Sequence, residues 1–600
     1  MTQSTQSSPE PAAGDQPSGK LSYRQVMLIL SGLLLGMFLA SLDQTIVSTA
    51  MRTIADKLDG QTAQAWATTA YLVTATVSTP LYGKLSDMYG RKKFYLFAIT
   101  VFLIGSALCG TSQSMIELAA FRALQGIGAG GLMSLAFAII GDIVSPRDRA
   151  KYQGYFMAVF GVSSVAGPVL GGLLAGSDSI LGVDGWRWVF YVNLPIGIIA
   201  LAVVSRFLNL PHHRREHRVD YFGAALLVGG ITALLIVAEQ GRTWGWGATS
   251  SVILYAVGAA MLIGFVAVEH RVGEEAILPL RMFRHGVFSV ASLMSFIIGM
   301  GMFGGIICLP LYLQIVKGFS PTDAGLAMLP LMAGMMIFSM GSGLVISKTG
   351  RYKIFPIFGT VVLMGALVGL SQLKYDTSYG ALIPLMALVG AGLGCCMQTL
   401  VLATQNAVPP SDMGVATSTA TFFRSMGGTF GTAVFLTVFF SGAGTKIGSQ
   451  LASASQTQPF QDAMNDPANS SSAGFMKQLF SGGTAVADQL NDTQFLQKLP
   501  SVFRDPFLIG FSQSMDFVFL LAAIVVLPAF VLSFFLKEIT LRMESGLELQ
   551  AAERAAAGGV TPSGPPAEAV ADGPTGEFLA DGRRGGEGGE PARLGSASDL

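Results

Sequence analysis

Long stretches without a charged side chain divide this chain into regular segments. Runs of about 18 or more residues that lack Asp, Glu, Lys and Arg, close to the length a helix needs to cross hydrocarbon, number fourteen. They begin at Gln25, Gly60, Phe94, Ala123, Tyr152, Trp188, Tyr221, Thr243, His285, Ala324, Ile354, Thr377, Ser425 and Phe517. A bilayer core of about 30 Å takes roughly 20 residues of helix, and irregular backbone cannot face lipid with its amides unpaired. Each run therefore predicts one membrane-spanning helix.

The charges between the runs orient them. Up to Arg424, with Arg122 inside a run left aside, twenty Lys and Arg lie in the N-terminal flank and the even-to-odd connections, against six in the opposite connections. Basic residues collect on the cytoplasmic side, and an even number of spans returns the chain to the side where it started. Both termini are expected in the cytoplasm. The first uncharged run, Gln25 to Leu42, is longer than a signal-peptide core and has no clear cleavage site after it, so it is read as a retained span.

Composition agrees. Of 600 residues 51% are apolar and only 12% charged, with 73 glycines, which a water-soluble globular chain of this length rarely carries. All four cysteines fall in uncharged runs, so no disulfide framework is implied. Residues 1–20 are rich in Ser, Gln and Pro, and 551–600 hold 11 glycines and 5 prolines, so both ends are expected to be disordered, the tail from 541 onward. Residues 441–510, rich in Ser, Gln, Asn and Gly, are expected as an outer loop in which apolar patches such as 475–480 form short helices.

An internal repeat shapes the rest. GKLSDMYGRKK from Gly83 and GLVISKTGRYK from Gly343 share one pattern, 260 residues and eight predicted helices apart. Eight is six plus two. The simplest architecture is an all-α polytopic membrane protein of two six-helix halves, 21–208 and 285–540, with a helix pair inserted in segment 209–284. Asp87 of the first copy is Ser347 in the second, so the two halves differ in charge at this loop, while Gly350 and Arg351 keep the Gly-Arg pair of Gly90 and Arg91.

Four motifs now carry a resemblance. The first repeat supplies Gly83, Leu85, Asp87, Gly90, Arg91 and Lys92; the fourth run holds Arg122, Gln125, Gly126, Gly128 and Gly130; the fifth holds Gly161, Gly167, Pro168, Gly171 and Gly172; and the first ends in Leu42-Asp43-Gln44-Thr45-Ile46-Val47. In that order, with WRWVFYVNLPIG from Trp186 and YLQIVKGFSPTDAG from Tyr312, the chain resembles the major facilitator superfamily and, within it, the fourteen-helix drug:proton antiporters. The resemblance covers residues 22 to 540. It implies the major facilitator fold and ties the fifth-run motif to export.

The residues argue in the same direction. Asp43 is the only charge between Arg24 and Arg52, about 8 Å inside the outer end of the first span, and Arg122 lies about 9 Å inside the outer end of the fourth. A carboxylate at such depth is costly and normally faces a protein interior or a water path. Asp43 and Arg122 are therefore the candidate proton-coupling pair, Arg122 holding Asp43 ionised until a proton or cationic substrate competes; a static ion pair is the alternative. In the repeat loop, Gly83, Asp87, Gly90, Arg91 and Lys92 are candidates for a gate, with Gly350 and Arg351 as its second-half counterpart, and for Lys92 and Lys93 a plain topology signal serves as well. Pro168 and its neighbouring glycines permit a bend or close packing in the fifth span.

Other chemistries find no support. No phosphate-binding G-x-x-x-x-G-K-[ST] loop occurs, and PHHRREHR from Pro211 reads as a basic cluster on lipid head groups rather than a metal site. No metal, cofactor, nucleic-acid partner or enzymatic activity is expected. The expected function is a monomeric, proton-coupled exporter of small apolar or cationic compounds in a bacterial inner membrane, with the substrate, protons and the lipid bilayer as its partners. A proton-linked importer or facilitator, or an exporter of a lipid, siderophore or antibiotic, is the alternative.

Overall fold

A computed structural model describes residues 22–60, 63–209, 220–273, 276–409, 412–480, 496 and 499–549. The helices are α1 Tyr23–Lys57, α2 Gln64–Tyr89, α3 Arg91–Thr111, α4 Met115–Ile143, the short α5 Pro146–Arg149, α6 Gln153–Ala175, α7 Trp188–Tyr191 and α8 Asn193–Phe207. Then come α9 Tyr221–Trp244, α10 Thr249–Val272, α11 Gly286–Ile315, α12 Pro321–Ala327, α13 Leu329–Thr349, α14 Ile354–Leu370 and α15 Tyr379–Asn406. The last are α16 Met413–Ser455, α17 Gln458–Asn465, α18 Ser470–Phe480 and α19 Ser501–Phe535. Among the described residues the strands are a two-residue antiparallel pair, β1 Ser179–Ile180 and β2 Val183–Asp184.

Helix starts follow local chemistry. Ser22 and Gln25 form a reciprocal capping box at α1, and Ser114 and Asp220 accept from the first turns of α4 and α9. Prolines sit inside α2, α6, α11, α15 and α19, as spanning helices tolerate when neighbours satisfy the freed carbonyls.

Among the described residues twelve helical segments are long and apolar enough to cross a membrane. The other two uncharged runs, from Gly60 and Ile354, fold as α2 and the 17-residue α14, which fall outside that set. α1 to α8 pack largely on one another, as do α11 to α19; the two groups meet where α2 and α4 lie against α16 and where α6 lies against α12 and α13. The inserted pair packs together, and α9 lies on both α2 and α16.

Two segments depart from the sequence reading. The loop expected over 441–510 is partly helix, because α16 runs 43 residues and α19 35, about 65 and 53 Å at helical rise, well beyond a bilayer. They continue together because Ile447, Leu451, Phe503 and Phe507 bury one apolar stripe, with Gly510 letting Ile447 approach. A count of uncharged runs ends at Lys446 and cannot see a helix whose far end is in water. The tail expected to be disordered from 541 is described to 549, where Leu541 and Leu547 are buried and Arg542 Nη2 donates to the Val408 carbonyl at 2.9 Å. The predictions for 1–20 and 551–600, and the histidine cluster of 211–218, lie outside the described residues.

Candidate functional site

Asp43 sits on α1, which continues fourteen residues past it to Lys57, so the carboxylate is interior to the helix rather than near its end. It is fully buried, as are Gln125 and Asn193, and Arg122 is nearly so. Arg122 Nη1 donates to Asp43 Oδ2 at 2.6 Å. Gln125 Nε2 and Asn193 Nδ2 donate to the other oxygen at 2.8 and 2.7 Å. A carboxylate only accepts, so both amides must present their nitrogens, and Gln125 Oε1 then faces Arg122 Nη1 at 2.7 Å.

Helix geometry explains the convergence. Arg122 and Gln125 are three apart on α4 and share a face. Asn193 opens α8 and also donates to Ser106 Oγ on α3 at 3.0 Å. The Arg122 guanidinium lies 4.0 Å over the Tyr71 ring of α2, a cation–π contact in a water-poor setting. Three helices thus meet at one carboxylate, and α2 and α3 back the groups that hold it. Arg122 Nε and Asn193 Oδ1 are buried without a hydrogen-bond partner, so the network carries spare polar capacity.

The sequence reading found Asp43 and Arg122, and the structure brings them into contact. Gln125 was visible in the fourth-run motif and Asn193 within WRWVFYVNLPIG, but neither had been tied to Asp43. A lone uncharged amide in an apolar run was the available signal. Asp516 lies fifteen residues inside α19, and its Oδ1 is a buried oxygen without a hydrogen-bond partner.

A second constellation closes one end of the bundle. Asp87 pairs with Arg91, whose Nε also meets Asp142 Oδ2 of α4 at 2.7 Å. Asp87 Oδ2 accepts the Val415 backbone N–H at 2.9 Å, so a carboxylate from α2 caps the positive first turn of α16. Gly83 permits this approach: a Cβ there would stand 2.9 Å from the Gly414 carbonyl and 2.7 Å from Ser418 Cβ. Gly90 adopts φ 105° between α2 and α3, a conformation side chains resist.

Beside them, Arg149 pairs with Gln405 of α15 and donates to the Gly141 and Val144 carbonyls at 2.6 and 2.9 Å. Gln405 Nε2 in turn reaches the Phe137 carbonyl of α4 at 3.1 Å. Lys92 points elsewhere: it donates to the Ser205 carbonyl and Asn209 Oδ1 at 2.7 and 2.6 Å, holding the end of α8 within its own group. In the second repeat Gly350 takes φ 73° as the helix stop of α13. Arg351 is exposed, and the cross-group bonds come instead from Arg147, whose Nε and Nη2 donate to the Ser347 and Lys348 carbonyls at 2.6 and 2.8 Å.

The fifth-run motif divides by neighbour. A Cβ at Gly167 would collide with Thr45 of α1, and one at Gly171 would lie 2.9 Å from the Ile46 carbonyl, while Thr45 Oγ1 donates to the Ser163 carbonyl at 3.0 Å. Gly172 has open space, and Gly161 faces Met332 of α13 at 3.6 Å. Pro168 lies inside α6 and packs near Gly325 of α12. Between α6 and α13 is an apolar cleft of about 700 Å³ whose lining includes Met157, Val165, Met332 and Met336.

A family model described as Major Facilitator Superfamily matches residues 33–432, two thirds of the chain. The chain belongs to the major facilitator superfamily. The chain is 34% identical over 550 residues to the multidrug transporter protein MdtP of Bacillus subtilis, covering 91% of this chain and 99% of that protein. It is 36% identical over 515 residues to multidrug resistance protein 3 of the same organism, covering 85% and 94%. Among solved structures, its fold is similar to the proton:xylose symporter XylE with TM-score 0.53 at 13% identity, over 89% of this chain and all of that one. It is a multi-pass membrane transporter and not an enzyme.

Proposed function

We propose that this protein is a proton-coupled exporter of small apolar or cationic compounds, with Asp43 as the coupling carboxylate and Arg122 as its counter-ion. The carrying observation is the fully buried Asp43, held by Arg122, Gln125 and Asn193 from α4 and α8. A charge so placed is a functional group by default in a spanning helix, because its burial costs energy that packing alone does not require. A proton arriving at Asp43 cancels the charge that Arg122 answers, and the guanidinium and the two amides then seek other partners. α1, α4 and α8 share the change. The Asp87–Val415 contact and its Arg91–Asp142 neighbour form one closed arrangement, which must break for the opposite access state.

The relatives named as multidrug transporters support export and the substrate class. Fourteen spans, counting α2 and α14, as two six-helix halves plus the inserted pair, are part of the same reading. So are both termini in the cytoplasm of a bacterial cell and action as a monomer.

The test uses inverted membrane vesicles, proton gradients of either sign, and lipophilic cations beside neutral compounds. Gradient-driven uptake of the cations is expected for the native protein and its loss for Asp43→Asn. Normal uptake with normal pH dependence in Asp43→Asn would refute the coupling role. Uptake of a sugar or anion alone would refute export of apolar and cationic compounds.

A further inference from the structure

Past the last helix the chain does not leave the bundle. Residues 541–549 run beneath the end closed by Asp87 and Arg149, and they touch both helix groups. On the side of α15, Asn406 Nδ2 donates to the Thr540 carbonyl at 3.2 Å, and Arg542 Nη2 donates to the Asn406 and Val408 carbonyls at 3.4 and 2.9 Å. Those carbonyls belong to the last residue of α15 and to the second residue beyond it, where a guanidinium meets both orphan acceptors and the negative end of the dipole.

On the side of α4, Gly546 lies against the backbone of Asp142, so closely that a Cβ there would be 3.3 Å from Asp142 Cα. Asp142 is the acid that holds Arg91. Arg147 Nη1, from the turn after α4, meets Met543 Sδ at 3.2 Å. Ser545 and Glu548 form a reciprocal cap, each backbone N–H donating to the other's side chain at 2.7 and 3.2 Å, which gives the segment a defined shape. Leu541 and Leu547 are buried in the main apolar cluster, although they follow the membrane helices.

We infer that residues 541–549 form a strap that locks the closed end of the transporter, with Arg542 as its positioning residue. The reasoning is one of differential contact. The strap's partners on α15 and α4 are close together here because Gln405 bridges to the Phe137 carbonyl. If the two helix groups separate at this end, nine residues cannot keep Val408, Asn406, Asp142 and Arg147 at once. Contacts available in only one of two states shift the equilibrium toward that state by their own free energy. The strap thus adds to the Asp87 cap without belonging to either repeat. It rests on the alternating-access reading, but not on Asp43 or on any substrate.

The experiment measures distances across the closed end by spin labelling Lys93→Cys and Thr349→Cys, both exposed and on opposite groups. The four native cysteines are buried and free. Three truncated or substituted chains are compared with the full chain in lipid nanodiscs: one ending at residue 549, one ending at residue 540, and Arg542→Ala. The expected result is an unchanged distance distribution for the first. For Arg542→Ala the ratio of long-distance to short-distance populations should rise about two- to tenfold, the scale of one ordinary hydrogen bond, and for the chain ending at 540, which loses every strap contact, by at least as much. Arg542→Lys, which keeps a cationic nitrogen with N–H donors, should restore most of the short-distance population. A merely structural role would lower thermal stability without changing that ratio.

Distributions identical in the full chain and the chain ending at 540 would overturn the strap. Should that chain fail to fold, an unchanged ratio in Arg542→Ala would overturn it alone. Failure of the proton-coupling reading shows separately, as normal transport by Asp43→Asn while the distance changes persist.

Discussion

Removing Arg122 should cost more than any single bond it makes, and much of that loss should return when Asp43 is neutralised too. In Arg122→Met the carboxylate keeps its contacts with Gln125 and Asn193 at 2.8 and 2.7 Å but loses the guanidinium paired with it. Breaking a buried pair on one side costs about 3 to 5 kcal/mol, because an uncompensated charge stays in a medium that solvates it poorly. Asp43→Asn alone strands the guanidinium, which retains Gln125 Oε1 at 2.7 Å and the Tyr71 face at 4.0 Å, so its loss should fall at the low end of that range. In the double variant neither charge of this pair remains, and replacing both members of such a pair is often close to neutral.

The expected order of thermal midpoints in detergent is native, then the double variant, then Asp43→Asn, then Arg122→Met. Proton-driven transport should be absent from all three variants, including the well-folded double. Stability and transport therefore separate. If the double variant is no more stable than the sum of its single losses predicts, the buried pair is not coupled, and the argument from Asp43 to proton exchange loses its physical basis.

Other outcomes follow from the same contacts. Asp87→Ala removes the acceptor for the Val415 N–H, a cap worth about 0.5 to 2 kcal/mol, and should raise alkylation of cysteines placed at the closed end by about two- to thirtyfold. Gly414→Val, whose side chain would strike Asp87 and Arg91, should abolish transport while leaving expression near normal. In the fifth-run motif the glycines should separate sharply: Gly172→Ala should transport normally in vesicles, whereas Gly167→Val should lower both thermal midpoint and transport by forcing α6 away from Thr45. Lys92→Ala should leave cysteine labelling at the closed end unchanged, because its bonds go to Ser205 on α8 and to Asn209 just past its end.

The membrane class, the helix periods and the two chemical clusters were legible in the sequence. A bilayer demands long uncharged helices, so uncharged runs mark them without any knowledge of packing. An acid in such a run announces itself because its burial is expensive, which is how Asp43 and Arg122 stood out. The repeat pointed to the loop at Asp87 and Arg91 by another route, since Gly90-Arg91 recurs as Gly350-Arg351 while Asp87 is Ser347 in the second copy.

Partnership was decided only by tertiary structure. Gln125 and Asn193 are neutral, so an amide in an apolar run marks each of them only as polar, and their role depends on how α4 and α8 lean on α1. Asp87 caps a helix 328 residues away, at Val415, a contact that no local pattern encodes. Lys92 and Arg91 are neighbours in sequence, yet a helix turn of about 100° per residue sends one to α8 and the other to Asp142. The far ends of α16 and α19 and the strap at 541–549 eluded the sequence for one reason: their apolar residues are too few for a local signal and become a core only where another segment covers them.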